Sequence, residues 1–386
     1  MKILAVSYAF FPRLSGVAVV VKSLYSNFIK IHPEKNTVTV LAFNDENLLA
    51  EKEIIDNLNV IRFSVPSLLS GRIPLFGLDF ILKMWKLSSK KNCDQVHIHT
   101  RLSVISFVSF LIAKLRGQNI IHYEHLGNFI QGESAFVNNA SFFWDQIISR
   151  IMFSFSDKII AVSDSVKLFI IKEFKINPSK IVVIENGCDY TPAKSTFVEK
   201  FKNKKTIKKY NIFYGARFVP LKNPMIALES VLSLRKLRKN FHFYMAGNGK
   251  LEGEIKQFVK SNKMGKYVTL LGKLDAGGME KQFKKSHFLL NISMLEGFPG
   301  IVLESIFSNV VPILTDICGN NDIIKNENLL ISINNLNGDN LSSKINGIIE
   351  NLEKDNEILN YLDKLKTKLK YKNTWPEVAS RLNKLI

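Results

Sequence analysis

What most constrains this chain of 386 residues is an alternation that begins at its first residue, in which short β-branched runs take turns with stretches of helical apolar spacing. The pattern predicts strands over 2–7, 37–42, 60–65, 95–99, 119–123, 158–163 and 181–184. Between the first two, Val17, Val20, Val21, Leu24, Phe28 and Ile31 share one helical face, so the chain opens on a βαβ unit. After a polar, Lys-rich stretch a second series is expected, over 211–215, 241–247, 268–272, 287–293, 311–315 and 329–332. The fold expected is α/β, with two Rossmann-like doubly wound domains facing each other across a cleft. Their boundaries are read as 1–190, a solvated linker over 191–209, 210–370, and a terminal segment 371–386.

Composition narrows the function classes. Hydrophobic residues make up 46% of the chain, which excludes wholesale disorder. Cys93, Cys188 and Cys318 are odd in number and far apart, so they build neither a disulfide framework nor a CxxC metal knuckle. The longest apolar run, 102–113, is interrupted by Ser103, Ser106 and Ser109 and falls short of the roughly 20 residues a bilayer requires. The opening run is too short for a signal-peptide core, and a cytoplasmic location is expected. Lys and Arg number 53 against 34 Asp and Glu, a net charge of +19 that favours polyanionic partners. No zinc-finger spacing, RNP-like motif or basic zipper is present, so nucleic acid is not an expected partner.

Open parallel sheets bind ligands beyond the carboxyl ends of their strands. The segment 293–305, SMLEGFPGIVLES, stands at such an end: a buried strand, a turn through Gly297, and a helix with Pro299 near its first turn. Backbone amides around Phe298, Pro299, Gly300, Ile301 and Val302, with the positive end of the helix dipole, would make an anion site suited to phosphate. Glu296 and Glu304 flank it, and carboxylates repel phosphate, so they should face neutral sugar hydroxyls. Read apart from that setting, the two would be a dipole partner and a solvated helix residue.

Residues 296–304, EGFPGIVLE, resemble the EX7E signature of retaining family-four glycosyltransferases with the GT-B fold, and 162–166, 180–189, 215–217 and 246–249 match other segments of that family in order. The resemblance implies transfer of a sugar from a nucleoside diphosphate sugar to an acceptor hydroxyl with retention. Glu296 would orient the donor sugar and Glu304 the ribose. Arg217 and Lys222, on the loop after strand 211–215, would stabilise charge growing on the leaving diphosphate. His125, in the segment 123–128, resembles the family's histidine near the reacting sugar; a structural histidine is the other reading. Gly16, in the segment 13–17, resembles the family's glycine loop, with Ser15 where an adjacent glycine often stands, and reads equally as a plain helix-entry glycine. Asn248, Lys273 and Leu274 follow strands whose loops line the base pocket in the family.

His97 and His99 have the residue types of a metal pair but are read as structural, with their rings expected on opposite faces of the strand. No Asp-x-Asp element stands near a strand end, so neither a metal nor any cofactor is expected and the nucleotide sugar is a substrate. No protein nucleophile is evident, which favours a front-face displacement. Segment 371–386 resembles the family's last helix, which crosses back to the first domain. Arg72, Lys83, Lys86, Lys90 and Lys91 accompany Leu75, Phe76, Leu82 and Trp85, a mixture suited to an anionic inner leaflet and a lipid-linked acceptor of lipopolysaccharide or capsule synthesis, or simply a basic surface helix. The alternatives are a non-catalytic GT-B binding subunit and a glycoside hydrolase using the two glutamates.

Overall fold

A computed structural model describes residues 1–386 apart from 9, 13–14, 45–48, 65–66, 69–72, 75–77, 130–134 and 203–206. It divides the chain into two units, Met1–Gly187 with Trp375–Ile386, and Cys188–Thr374.

The first unit is built on β1 (Lys2–Ser7), β2 (Thr37–Asn44), β3 (Lys52–Ile55), β4 (Leu58–Ser64), a short hairpin of β5 (Ser67–Leu68) and β6 (Ile73–Pro74), then β7 (Gln95–His99), β8 (Asn119–Glu124), β9 (Lys158–Ala161) and β10 (Ile181–Val183). Eight of these form one sheet in the order β10-β9-β8-β7-β1-β2-β4-β3. Every pairing in it is parallel except β3 with β4. Strand β7 is buried along its whole length and β1 at all but its first residue, as expected of parallel strands covered by helices on both faces.

The second unit carries β11 (Tyr210–Gly215), β12 (Phe241–Ala246), β13 (Val268–Gly272), β14 (Phe288–Asn291), β15 (Val311–Asp316) and β16 (Leu330–Ser332), all parallel, in the order β13-β12-β11-β14-β15-β16. In both sheets the first strand of the unit lies between two neighbours whose connections wind away in opposite directions. Such a point leaves an open crevice at the carboxyl ends of the central strands. In the second unit it falls between β11 and β14, and in the first between β1 and β7.

The terminal helix Trp375–Leu385 belongs to the first unit, where Trp375, Val378, Ala379 and Leu382 share a core with Val21, Leu24 and Phe28 of the helix Gly16–Ile31. Trp375 explains the glycine at 187, where a Cβ would stand 2.7 Å from its ring. Arg381 adds an ion pair to Glu185 at 2.6 Å.

Two expectations need correction. Strand β3 was not foreseen, because of its four residues only Ile55 packs against the core, and that in part, while the apolar Ile54 is strongly exposed. The segment 191–209 is not a solvated linker: within it the helix Phe197–Lys200 and Phe201 are packed into the second unit, with Phe197 and Phe201 buried. Lys200 Nζ donates to the carbonyls of Ser286 and Ser308 at 2.7 and 3.3 Å, and Asp363 accepts from the Phe197 amide at 2.7 Å. The many lysines hid two phenylalanines that anchor the segment. The chain passes between units at 187/188 and 374/375, and within the second unit the Cys188 amide donates to the Asn373 carbonyl at 2.9 Å. No described helix is long and apolar enough to cross a membrane.

Candidate active site

The crevice of the second unit is where its chemistry gathers. After β11 the chain makes a short 3-10 turn, Pro220–Lys222, and enters the helix Pro224–Leu237 through Asn223, which adopts the left-handed conformation that Asn tolerates (φ 52°). Asn223 Nδ2 donates to the Ile292 carbonyl at 2.8 Å, and the Met294 amide donates to the Leu221 carbonyl at 2.9 Å. These two bonds tie the loop after β11 to the loop after β14. They set Lys222 Nζ against Glu296 Oε1 at 2.5 Å, with the two side chains only 20% and 15% exposed. Tyr214, whose hydroxyl donates to the Lys222 carbonyl at 2.7 Å, supports the turn from below. Burial, and the Glu296 charge beside it, push the Tyr214 phenol well above its ordinary range, so it stays a neutral donor.

Arg217 stands earlier on the same loop. Its side chain is exposed and has no hydrogen-bond or ion-pair partner among the described residues. The backbone around it is braced by two glycines: a Cβ at Gly247 would stand 1.9 Å from the Ala216 carbonyl oxygen, and one at Gly249 2.5 Å from that of Phe218. Both have positive φ, and the Phe218 amide donates to the Asn248 carbonyl at 2.8 Å. Asn248 and Lys273 are exposed and Leu274 half-buried, so these three stand at strand ends on loops laced to the Arg217 loop.

The helix Gly300–Phe307 follows Glu296, with Pro299 as its N-cap. The expected run of amides is shorter than the sequence suggested. Pro299 has no N–H, and Val302 donates to the Pro299 carbonyl at 3.1 Å, which leaves Gly300 and Ile301 as free first-turn donors among the described residues. Phe298 and Val302 are buried and hold the turn, while the Ile301 side chain lies 3.1 Å from where a Cβ on Gly215 would be, against the end of β11.

Glu304 is half-buried on this helix. Burial, and second the Asp189 carboxylate, push its carboxyl up to about 7. Asp189 was not singled out from the sequence, nor was Gly319. A Cβ on Gly319 would stand 2.7 Å from the Glu296 carbonyl oxygen, so the helix Cys318–Ile323 backs the glutamate turn by close backbone approach. A glycine just after β15 was the available signal. Among the described residues no group of three His, Cys, Asp or Glu is placed to hold a metal ion.

Gly16 and His125 belong to the first unit. Ser15 is the N-cap of the helix Gly16–Ile31 and accepts from the Ala18 amide at 3.0 Å, which gives it a structural role. A Cβ on Gly16 would meet nothing within 4 Å, so no neighbour in the chain demands glycine there. Arg13 and Leu14 lie outside the described residues.

His125 is buried at the end of β8. Its loop is pinned by Glu124, whose Oε1 accepts from the amides of His125 and Leu126 at 3.1 and 2.9 Å and from Arg101 Nη1 at 2.7 Å. Arg101, itself fully buried, also donates to Asp145 at 2.9 Å and to the Asn128 carbonyl at 2.8 Å. Burial opposes ionisation of Glu124, but Arg101 and then His122 outweigh it and hold the carboxyl down at about 2. His97 and His99 lie on one face of β7, not on opposite faces, because residues two apart on a strand point the same way. Both bond to the Tyr25 hydroxyl, at 2.8 and 2.9 Å.

The two Rossmann-like sheets define a GT-B fold. Over the whole chain the structure matches that of the Anabaena protein HepE in complex with UDP-glucose, with TM-score 0.72, 14% identity and 99% of that chain covered. Glycosyltransferase Family 4 matches residues 14–191 and Glycosyl transferases group 1 matches residues 196–364. The chain is a glycosyltransferase of this family. The UDP-Gal:alpha-D-GlcNAc-diphosphoundecaprenol alpha-1,3-galactosyltransferase of Escherichia coli is 27% identical over 79% of this chain and 78% of its own length. An uncharacterized glycosyltransferase of Methanocaldococcus jannaschii is 27% identical over 51% of each, so that match spans about half the length of either protein.

Two outcomes follow from the geometry. Because Arg217 is exposed and unpaired among the described residues, Arg217→Ala should shift the unfolding temperature by less than about 2 °C. It should weaken binding of a nucleoside diphosphate by about tenfold or more, read by calorimetry; unchanged affinity would remove Arg217 from the site. For Glu304 the folded-state pKa lies above the unfolded value, so the stability it lends is present in acid and is lost as pH rises through about 7. A ligand hydroxyl donating to the ionised carboxylate expels that proton. Nucleoside diphosphate affinity should therefore rise by about tenfold more between about pH 6 and pH 8 in the natural protein than in Glu304→Gln. Parallel profiles would place Glu304 beyond the ligand's reach.

Proposed function

We propose that the chain is a retaining glycosyltransferase that moves a sugar from a nucleoside diphosphate donor to a hydroxyl of a lipid-linked or polysaccharide intermediate, without a metal. The observation that carries this is the Lys222–Glu296 pair, which joins the loops after β11 and β14; the first loop also carries Arg217, without a partner among the described residues, and the second leads into the free first-turn amides of Gly300 and Ile301. One Lys222 proton is committed to Glu296 and two remain for an anion. Arg217, Lys222 and the two amides meet the diphosphate and stabilise the charge that grows on its β-phosphate as the glycosidic bond breaks. These donors do the work that a metal does in other transferases. Glu296 keeps one carboxylate oxygen for sugar hydroxyls, and Glu304 takes the ribose. The leaving phosphate accepts the acceptor's proton on the same face, with no covalent sugar on the protein, and His125 bonds a sugar hydroxyl.

The activity for which the E. coli relative is named, with a UDP-sugar donor and a diphosphoundecaprenol-linked acceptor, supports the donor and acceptor classes. Retention of all four charged residues of the site disfavours a binding-only subunit. With short lipid-linked saccharides and a panel of nucleoside diphosphate sugars, transfer should persist in the presence of a chelator and keep the anomeric configuration, read from proton coupling constants of the product. An inverted product, or sugar released from a glycan with no nucleotide present, would overturn the reading.

The acceptor's lipid suggests the surface it is met on. The helix Leu78–Leu87 exposes Leu78, Leu82 and Trp85 beside Lys86, with exposed Lys90 and Lys91 following. Lys83 is less available, being paired to Asp79 and Glu51 at 2.7 and 2.9 Å, and Arg72, Leu75 and Phe76 lie outside the described residues. Apolar tips flanked by lysines suit shallow insertion at an anionic leaflet, on the cytoplasmic face where nucleotide sugars are found. Vesicles rich in anionic lipid should retain the protein at low salt, and Leu82→Ser with Trp85→Ser should release it; retention equal to that on neutral vesicles would end the membrane reading.

A further inference from the structure

The His125 ring is the last member of a buried hydrogen-bonded chain whose direction can be worked out from one end. Gln95 Oε1 lies 3.1 Å from His97 Nε2. A carbonyl oxygen only accepts, so His97 donates from Nε2. His97 is fully buried and burial holds its pKa down at about 3, so the ring is neutral and its Nδ1 carries a lone pair. The Tyr25 hydroxyl, 2.8 Å away, donates to it. With its one proton spent, the Tyr25 oxygen accepts from His99 Nε2 at 2.9 Å. His99 is also buried and neutral, so its Nδ1 accepts from His125 Nε2 at 3.1 Å. The His125 ring, kept neutral by burial, is then left with a bare Nδ1.

That nitrogen has no partner among the described residues and is not among the enclosed polar atoms of the cluster, which include both His122 nitrogens, the Tyr123 hydroxyl and Glu124 Oε2. It is therefore open to a ligand. The ring cannot turn freely: it stacks on His99 with centroids 5.4 Å apart, and its backbone is held by Glu124 and, through Glu124, by Arg101.

We propose that Gln95, His97, Tyr25 and His99 form a tautomer-setting relay that presents His125 with Nδ1 unprotonated, as a hydrogen-bond acceptor for a carbohydrate hydroxyl and not as a donor to phosphate. The four are positioning residues that act through His125. The assignment of a carbohydrate ligand rests on the glycosyltransferase reading; the tautomer itself does not. A bare imidazole nitrogen accepts from an O–H and repels a phosphate oxygen, so the diphosphate belongs to the second unit's cations and the hydroxyl to His125. The polarity of the relay is decided at Gln95, whose amide would reverse every bond if it offered N–H instead of oxygen.

The test is a long-range proton–nitrogen correlation spectrum of the full chain labelled with 15N-histidine, with His125 assigned by the signal lost in His125→Asn. The natural protein should show His97, His99 and His125 each as a single neutral Nε2–H tautomer. Tyr25→Phe removes the central acceptor, and Gln95→Leu the terminal one; either should turn His125 toward a mixture with Nδ1–H and lower kcat/KM for sugar transfer by about tenfold. A natural His125 with Nδ1–H, or a His125 signal unchanged in a folded variant, overturns the relay. The spectrum needs no substrate, so loss of the relay and loss of the transferase reading are separate results. Should neither variant fold, the natural protein's own tautomer decides.

Discussion

The second unit depends on one adjacency, that of β11 and β14, which the chain separates by two further strands and their helices. Only where connections leave a sheet in opposite directions is there room beyond the strand ends for anything but another loop. The Lys222–Glu296 pair fills that room. Taking two charges partly out of water is costly, and the pair recovers the cost by direct contact and by the bonds of Asn223 and Met294 that fix the two loops together. The proposed diphosphate would meet an ammonium already partly desolvated and held in place, so little reorganisation would remain to be done.

The first unit repeats the plan with different chemistry. Its crevice falls between β1 and β7, with Gly16 opening the helix after β1 and His99 closing β7. Here the described strand ends carry neutral imidazoles kept uncharged by burial. On the proposed reading the second unit takes the anion and the first a hydroxyl group, a division set by charge and burial.

Most of the fold was legible because alternation of period two and period 3.6 survives substitution of one apolar residue for another. The strands at 2–7, 95–99 and 268–272 agree with β1, β7 and β13 to the residue. The failures have physical causes. Strand β3 lies at an edge and turns only one apolar residue, Ile55, partly inward, which is too short a pattern to read. The segment around Phe197 and Phe201 is anchored by two rings among lysines, and one of those lysines, Lys200, is half-buried, with burial lowering it to about 8. The strand-end positions of the charged candidate residues were legible because they are a matter of order along the chain. The relay through Tyr25 was not, since it joins a helix to a strand 72 residues away through a contact that only packing reveals. The opposite-face expectation for His97 and His99 was an error of geometry, and correcting it exposes that relay.

The glycines and the charges of the second unit sort themselves by whether the chain's own packing accounts for them. Gly215, Gly247, Gly249 and Gly319 are explained from within: a Cβ at any of them would strike a neighbour, and each collision lies behind the Arg217 or Glu296 loop. Arg217, the two spare protons of Lys222, the amides of Gly300 and Ile301, and the reluctant carboxyl of Glu304 are not explained from within. A carboxyl that burial raises to about 7, and donors with no acceptor among the described residues, depart from what folded chains otherwise show, and such departures gather where a ligand completes the structure. Here they gather around the carboxyl ends of β11 and β14, with tight glycine contacts behind them. The glycines make the loops rigid so that the unsatisfied groups stay in place, and the unsatisfied groups give the rigidity its purpose.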